Sequence, residues 1–196
     1  KALNKKNITT EIFSPFYINE HLKSEKDLKK TGIYVKNKKY FGRLFNFTNK
    51  IITNVNSLIT KADVIHNTYY QDPHLKRKQP NVLTVYDLIH EKFNKDFNYH
   101  LPKQKALENS DHIICISENT KRDLQYYYNI NSEKITVIHL ATTKKIFTKP
   151  NSIKNNLLYI GSRKRYKNFK ILVKIFSKKE IQNNFNLICF GGGNFL

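Results

Sequence analysis

Short apolar runs alternate with stretches of helical spacing along most of this chain. Residues 9–13, 63–66, 82–86, 112–116, 135–140, 157–160 and 187–190 are compact apolar runs of strand character. Between them, apolar positions fall three or four apart. Over 40–60 the period is set by Leu44, Phe47, Ile51, Ile52, Val55, Leu58 and Ile59. Helices are also expected over 100–109, over the segment ENTKRDLQYYY, and where Phe169, Leu172, Val173 and Phe176 recur. The first residues, KALNKKNITTEIF, have the pattern of a helix tail entering a strand. Residues 19–60 are rich in Lys and Asn and weakly periodic apart from the helical spacing of 40–60, and 71–80 (QDPHLKRKQP) is a polar, Pro-bounded loop. Strand and helix signals in alternation predict an α/β fold with a mostly parallel sheet.

The punctuation divides this pattern. Residues 142–156 carry charge, Pro, Ser and Asn with little apolar periodicity, which marks a linker. A first domain over 1–145, a linker over 146–156 and the start of a second α/β domain over 157–196 follow. So short a second segment cannot enclose a core of its own, so it is expected to be incomplete, and both ends of the chain have the look of cuts. Ser117 is placed to cap the helix after it, Gly161 to turn the chain at the end of its strand, and Asn168 to cap the helix that opens at Phe169.

Composition limits what such a fold could do. The 196 residues have a formal net charge of +20, with 39% hydrophobic and 13% aromatic residues. That is enough apolar content for a packed core. The positive excess fits either a polyanion-binding surface or a compositional bias. Its only arginines are Arg43, Arg77, Arg122, Arg163 and Arg165, and the lysines are dispersed among Asn and Ile. Arginine is the usual reader of bases and phosphates, so bias is favoured over a nucleic-acid face. Contact with an anionic membrane fits both. Cys115 and Cys189 sit inside apolar runs and are read as small core residues in a reduced, cytoplasmic setting. No apolar run approaches the roughly 18 residues that a membrane span needs, and no signal peptide is expected.

In a parallel α/β sheet, ligands sit outside the carboxyl ends of the strands. Four such ends carry polar residues. They are His66, Asn67, Thr68, Tyr69 and Tyr70; Tyr86 and Asp87, with His90 and Glu91 beyond; 117–120, opening a helix; and the loop holding Arg163, Lys164, Arg165 and Lys167. Each has a plain structural alternative. His66 alone fits a hydrogen-bonded core histidine, Asp87 a turn cap, Ser117 a helix cap and Lys164 a solvated cation. The fourth end has the strongest chemistry, because cations beside a helix N-terminus make an anion site suited to a diphosphate. Arg163 and Lys167 supply directional donors and charge there. The glycines at 191–193 would permit close approach of a ligand or merely end a strand. Rival chemistries do not assemble, since GxxxxGK[ST], CxxC, GxSxG and GxGxxG are all absent.

These segments also carry a resemblance. ADVIHNTYY at 62–70, VLTVYDLIHEKF at 82–93, the run from 110 to 141, LLYIGSRKRYKNFKILVKIF at 157–176 and LICFGGGNF at 187–195 occur in the order found in retaining glycosyltransferases of family 4. The likeness covers roughly residues 62–196 and is weak over 1–60. The bacterial mannosyltransferase-like enzymes of surface-polysaccharide assembly are the subgroup it most resembles. It implies the two-domain GT-B fold: an incomplete Rossmann-like N-terminal domain on the acceptor side, then the first strand–helix–strand of a nucleotide-sugar-binding domain.

It further implies sugar transfer from a GDP- or UDP-linked donor to a glycan or lipid-linked acceptor with retention, in lipopolysaccharide or other surface-polysaccharide synthesis. Gly161, Arg163, Lys167 and Asn168 match the donor site, whose cations neutralise the leaving diphosphate, so neither a metal nor a further cofactor is implied. Asp87 and Tyr86 match the catalytic pair facing the donor sugar, with Tyr86 where the family usually has His. Thr68, Tyr69, His90, Glu91, Ser117 and Thr120 match the acceptor side of the cleft. The family's N-terminal glycine-rich loop is not found, and its later Glu-x7-Glu segment would lie past Leu196, so this polypeptide alone is expected to be inactive. The expected setting is cytoplasmic, peripheral to the inner membrane. The competing expectation is a non-enzymatic basic module for nucleic acid or anionic membrane, and a third is another GT-B enzyme such as an epimerase or phosphorylase.

Overall fold

The computed structural model describes residues 3, 6–36, 42–70, 79–94, 97–141, 155–163 and 165–192. They form two compact units, residues 1–140 and 141–196. Most of the expected loop over 71–80, most of the polar stretch from 142 to 156, Lys164 and Gly193 lie outside the described residues.

In the first unit, strand β1 (Glu11–Tyr17) is followed by the short helix α1 (Glu20–Ser24), strand β2 (Lys29–Tyr34) and the long helix α2 (Gly42–Ile59). β1 and β2 pair in parallel. Asn19 caps α1 through Leu22 N, and the Lys30 ammonium donates to the carbonyls of Leu22, Lys23 and Glu25 at its other end. Both ends of a one-turn helix are thereby satisfied. α2 is anchored to β1 by Asn49, whose amide accepts from Phe16 N at 2.8 Å and donates to Phe16 O at 2.9 Å.

The main sheet holds β3 (Ile65–Asn67), β4 (Asn81–Val85), β5 (His112–Cys115) and β6 (Ile135–Val137), in that spatial order and all parallel. A π-turn (His90–Asn94) and α3 (Phe97–Glu108) lie between β4 and β5, and α4 (Glu118–Tyr128) links β5 to β6. β4 is buried along nearly all its length, as expected for a strand covered on both faces. The core is Leu83, Val85, Leu88, Ala106, Leu107, Ile113, Cys115, Leu124 and Ile135, drawn from β4, the segment after it, α3, β5, α4 and β6. The second unit pairs β7 (Asn156–Ile160) in parallel with β8 (Asn186–Phe190), joined through a 3-10 turn (Arg165–Lys167), α5 (Phe169–Phe176) and α6 (Lys179–Asn184).

The α/β class with parallel sheets is as the sequence pattern predicts. Four local expectations differ. The β1 strand runs four residues further than 9–13. The expected strand over 135–140 pairs only through Val137, beyond which Ile138 and Leu140 are exposed. Cys115 is buried as expected, and burial pushes its thiol up to about 11, but Cys189 is only half-buried. Asn168 occupies the position before α5 in a left-handed conformation, with no side-chain capping bond. A capping side chain needs extended backbone to reach the next amides, which the left-handed Asn168 does not provide.

Candidate functional site

Because β3, β4 and β5 are parallel, their carboxyl ends lie along one edge, and the loops that leave them converge there. The peptide units of Tyr86 and Asp87 are pinned from both sides. Thr120 Oγ1 donates to Tyr86 O at 3.3 Å, and Tyr70 Oη donates to Asp87 O at 3.3 Å. Asp87 Oδ1 accepts from Ile89 N at 3.3 Å, closing a local turn. On the β5 side, Ser117 caps α4: its Oγ accepts from Thr120 N at 3.1 Å and lies 2.9 Å from Thr120 Oγ1. Ser117 and Thr120 thus join the α4 N-terminus to the Tyr86 carbonyl. Tyr86 and Asp87 are exposed at this edge, and so are Thr68 and Tyr69 on the turn after β3. Tyr69 packs on Tyr70 with ring centroids 4.9 Å apart. His90 is half-buried at the start of the π-turn. His66 Nε2 lies 2.8 Å from Thr84 Oγ1, and burial holds its imidazole below the ordinary value, so it is a hydrogen-bonded histidine of the sheet.

Glu91 is placed elsewhere. The π-turn directs it inward, away from the exposed edge, and its side chain has no exposed surface. One carboxylate oxygen, Oε1, takes both a Lys103 Nζ contact at 2.6 Å and a hydrogen bond from Tyr128 Oη at 2.6 Å. Burial pushes this carboxyl up, but the bonds from Lys103 and Tyr128 outweigh it and hold it below its ordinary value. The Tyr128 phenol is pushed up by burial and by the Glu91 bond. Lys103 Nζ also lies 4.5 Å from the Tyr70 ring centroid, a cation–π distance. Burial, reinforced by the Glu91 and Asp87 charges, pushes the Tyr70 phenol up as well. Sequence reading placed Tyr70 at a strand end without giving it a role, and singled out neither Lys103 nor Tyr128. Tyr70 stands in the quoted HNTYY motif, but nothing in the pattern separates Lys103 from the other lysines of α3.

The second unit has its own edge, at the carboxyl ends of β7 and β8. Gly161, at φ +130°, and Gly191, at φ +80°, turn the chain side by side, and Gly161 N donates to Phe190 O at 3.1 Å. The Arg163 guanidinium lies back over this turn. Its Nη2 donates to Gly191 O at 2.7 Å, and its Cζ is 5.9 Å from the Phe169 ring centroid. A Cβ on Gly192 would come 2.8 Å from Gly161 O and 2.9 Å from Arg163 Nε. The glycine turn therefore makes the space in which the arginine lies. Lys167 is exposed, its Nζ 5.1 Å from the Tyr166 ring centroid. Arg163 thus stands beside the paired parallel strand ends, and Lys167 closes the 3-10 turn before α5. No group of three His, Cys, Asp or Glu able to hold a metal occurs among the described residues. No described helix is long and apolar enough to cross a membrane.

A Rossmann-like parallel sheet with polar loops gathered at its carboxyl edge is a frame that hosts many activities. The chain belongs to glycosyltransferase family 4, the model of which matches residues 1–142. It is similar to the O-antigen chain mannosyltransferase RfbU of Salmonella typhimurium, being 24% identical over 133 residues. That match covers 66% of this chain and 36% of the relative. The chain thus spans about a third of the curated relative it matches.

Proposed function

We propose that the whole protein carrying this chain, which itself matches about a third of the relative's length, transfers a sugar from a nucleotide-sugar donor to a glycan or lipid-linked acceptor, with retention of configuration, in the assembly of a surface polysaccharide. The observation that carries the reading is the family match over residues 1–142. The printed name of the relative, an O-antigen chain mannosyltransferase, supports the polysaccharide setting and a mannosyl-type donor. In this reading Arg163 and Lys167 bind the GDP or UDP diphosphate with Gly161 and Asn168 beside them. They stabilise the charge that develops on the leaving group without forming a covalent bond. Tyr86 and Asp87 face the donor sugar. Thr68, Tyr69, His90, Ser117 and Thr120 border the acceptor, and Glu91 serves from beneath rather than by contact.

The lysine excess supports a cytoplasmic protein that touches anionic lipid, where its acceptor would be carried. Titration of the protein with GDP-mannose and UDP-glucose tests the proposal. Saturable binding is expected, and Arg163→Ala and Lys167→Ala should each weaken it by about tenfold or more, since each removes a charged hydrogen bond. A steep salt dependence with no preference for nucleotide-sugars would instead identify a basic binding module.

A further inference from the structure

We propose that Glu91, Lys103 and Tyr128 are positioning residues that act through Tyr70 to fix the Tyr86 and Asp87 peptide units at the carboxyl edge of the main sheet. The four residues come from separate elements: Tyr70 from the loop after β3, Glu91 from the π-turn, Lys103 from α3 and Tyr128 from the end of α4. They meet in the interior, where the Glu91 side chain has no exposed surface and that of Lys103 is 5% exposed.

Energetics argue that the cluster does more than hold the fold together. A buried ion pair loses most of its Coulombic gain to desolvation, so apolar residues of similar volume would hold these elements together as well. The pair is also not fully satisfied. Both contacts fall on Glu91 Oε1, and Oε2 is buried with no hydrogen-bond partner among the described residues. What apolar replacement would not supply is direction. The Lys103 ammonium lies over the Tyr70 face at 4.5 Å, and a cation–π contact excluded from water constrains the ring. That ring ends in the hydroxyl that donates to Asp87 O.

The next carbonyl upstream, Tyr86 O, takes its donor from Thr120. Two consecutive peptide planes are therefore oriented by hydroxyls from two different elements, and the directions of the Tyr86 and Asp87 side chains follow from those planes. A π-turn between β4 and α3 is itself an irregularity common at functional sites. The catalytic consequence rests on the transferase reading, whereas the positioning stands on the geometry of this unit alone.

Tyr70→Phe removes the hydroxyl and keeps the ring. Amide hydrogen exchange at residues 86–89 should rise several-fold to about tenfold, the loss of one hydrogen bond. Exchange in β5 should not change, and the melting temperature should fall by no more than about 4 °C. Lys103→Arg, which retains the cation, should keep the unsubstituted exchange pattern, and Tyr128→Phe should reproduce the local rise. In a sugar-transfer assay of the whole protein, Tyr70→Phe should lower kcat with the donor KM unchanged. Unchanged exchange at 86–89, or a rise spread evenly over the unit, would overturn the proposal. If the exchange pattern is as expected but even the whole unsubstituted protein transfers no sugar and binds no nucleotide-sugar, the transferase reading fails and the positioning stands.

Discussion

Gly192 shows how much one missing side chain can decide. Its φ is +84°, and a Cβ there would approach the Gly161 carbonyl to 2.8 Å and Arg163 Nε to 2.9 Å. Backbone oxygen cannot yield as a flexible side chain can, and the left-handed conformation adds its own strain. Gly192→Ala is therefore expected to displace Arg163, weakening nucleotide-sugar binding about as much as Arg163→Ala does, which calorimetric titration of the two variants would compare. The glycine run was visible in the sequence, but its use was not, because its partner is an arginine 29 positions earlier. Lys103 was illegible for a related reason. A lysine in a polar helix segment has no local mark of burial, and only the fold brings Glu91 beneath it.

That pair makes a second residue-scale prediction. Lys103→Met alone strands a buried carboxylate and should cost roughly 3–5 kcal/mol, whereas the double change Glu91→Leu with Lys103→Met should recover most of it. Denaturant unfolding of the single and double variants would show this as a coupling energy, and equal losses in both would refute it.

At the scale of elements, β4, β5, α4, β7 and β8 were legible because each is a dense apolar run or a capped periodic stretch. Ser117 was read as a cap from its type and place, and the bond to Thr120 N realises that reading. Ser117→Ala should destabilise α4 by about 0.5–2 kcal/mol. Its loss should also loosen Thr120 and with it the Tyr86 carbonyl, so exchange at Tyr86 should rise together with that of the first turn of α4. A rise confined to α4 would show that Thr120 holds its place without the cap.

α1 and β2 were missed inside the Lys- and Asn-rich stretch, since a five-residue helix and a lysine-bearing edge strand generate no period long enough to detect. α2 shows the opposite limit. Its apolar stripe was clear in the spacing, yet Leu44, Phe47, Ile51, Val55 and Leu58 are exposed while Asn54 and Ser57 are buried. Periodicity identifies a face of a helix, but not the surface that face will meet.

Charge sets the behaviour of the whole molecule. A formal net charge of +20 works against compaction through self-repulsion. Lys29 with Glu11 and Lys92 with Asp123 lie on the surface, and such exposed pairs contribute little. Acid worsens the balance. Glu91 titrates below its ordinary value in the folded state, so its stabilisation is fully present above the unfolded carboxylate value. It is lost as the pH falls below that value through the depressed folded one. Each proton taken up also adds to the positive excess. Melting temperature should therefore drop steeply below about pH 4.5, and Glu91→Gln should flatten that limb, because glutamine has no proton to gain.

Salt should act in the other direction. Screening shortens the reach of the dispersed lysine field to about 8 Å at physiological ionic strength, while the buried Glu91 and Lys103 contact is barely screened. Raising sodium chloride from about 0.02 to 0.3 M should accordingly raise the melting temperature at neutral pH and weaken binding to anionic vesicles over the same range. A melting temperature that falls with salt would mean that surface ion pairs, and not repulsion among lysines, dominate the electrostatics of this chain.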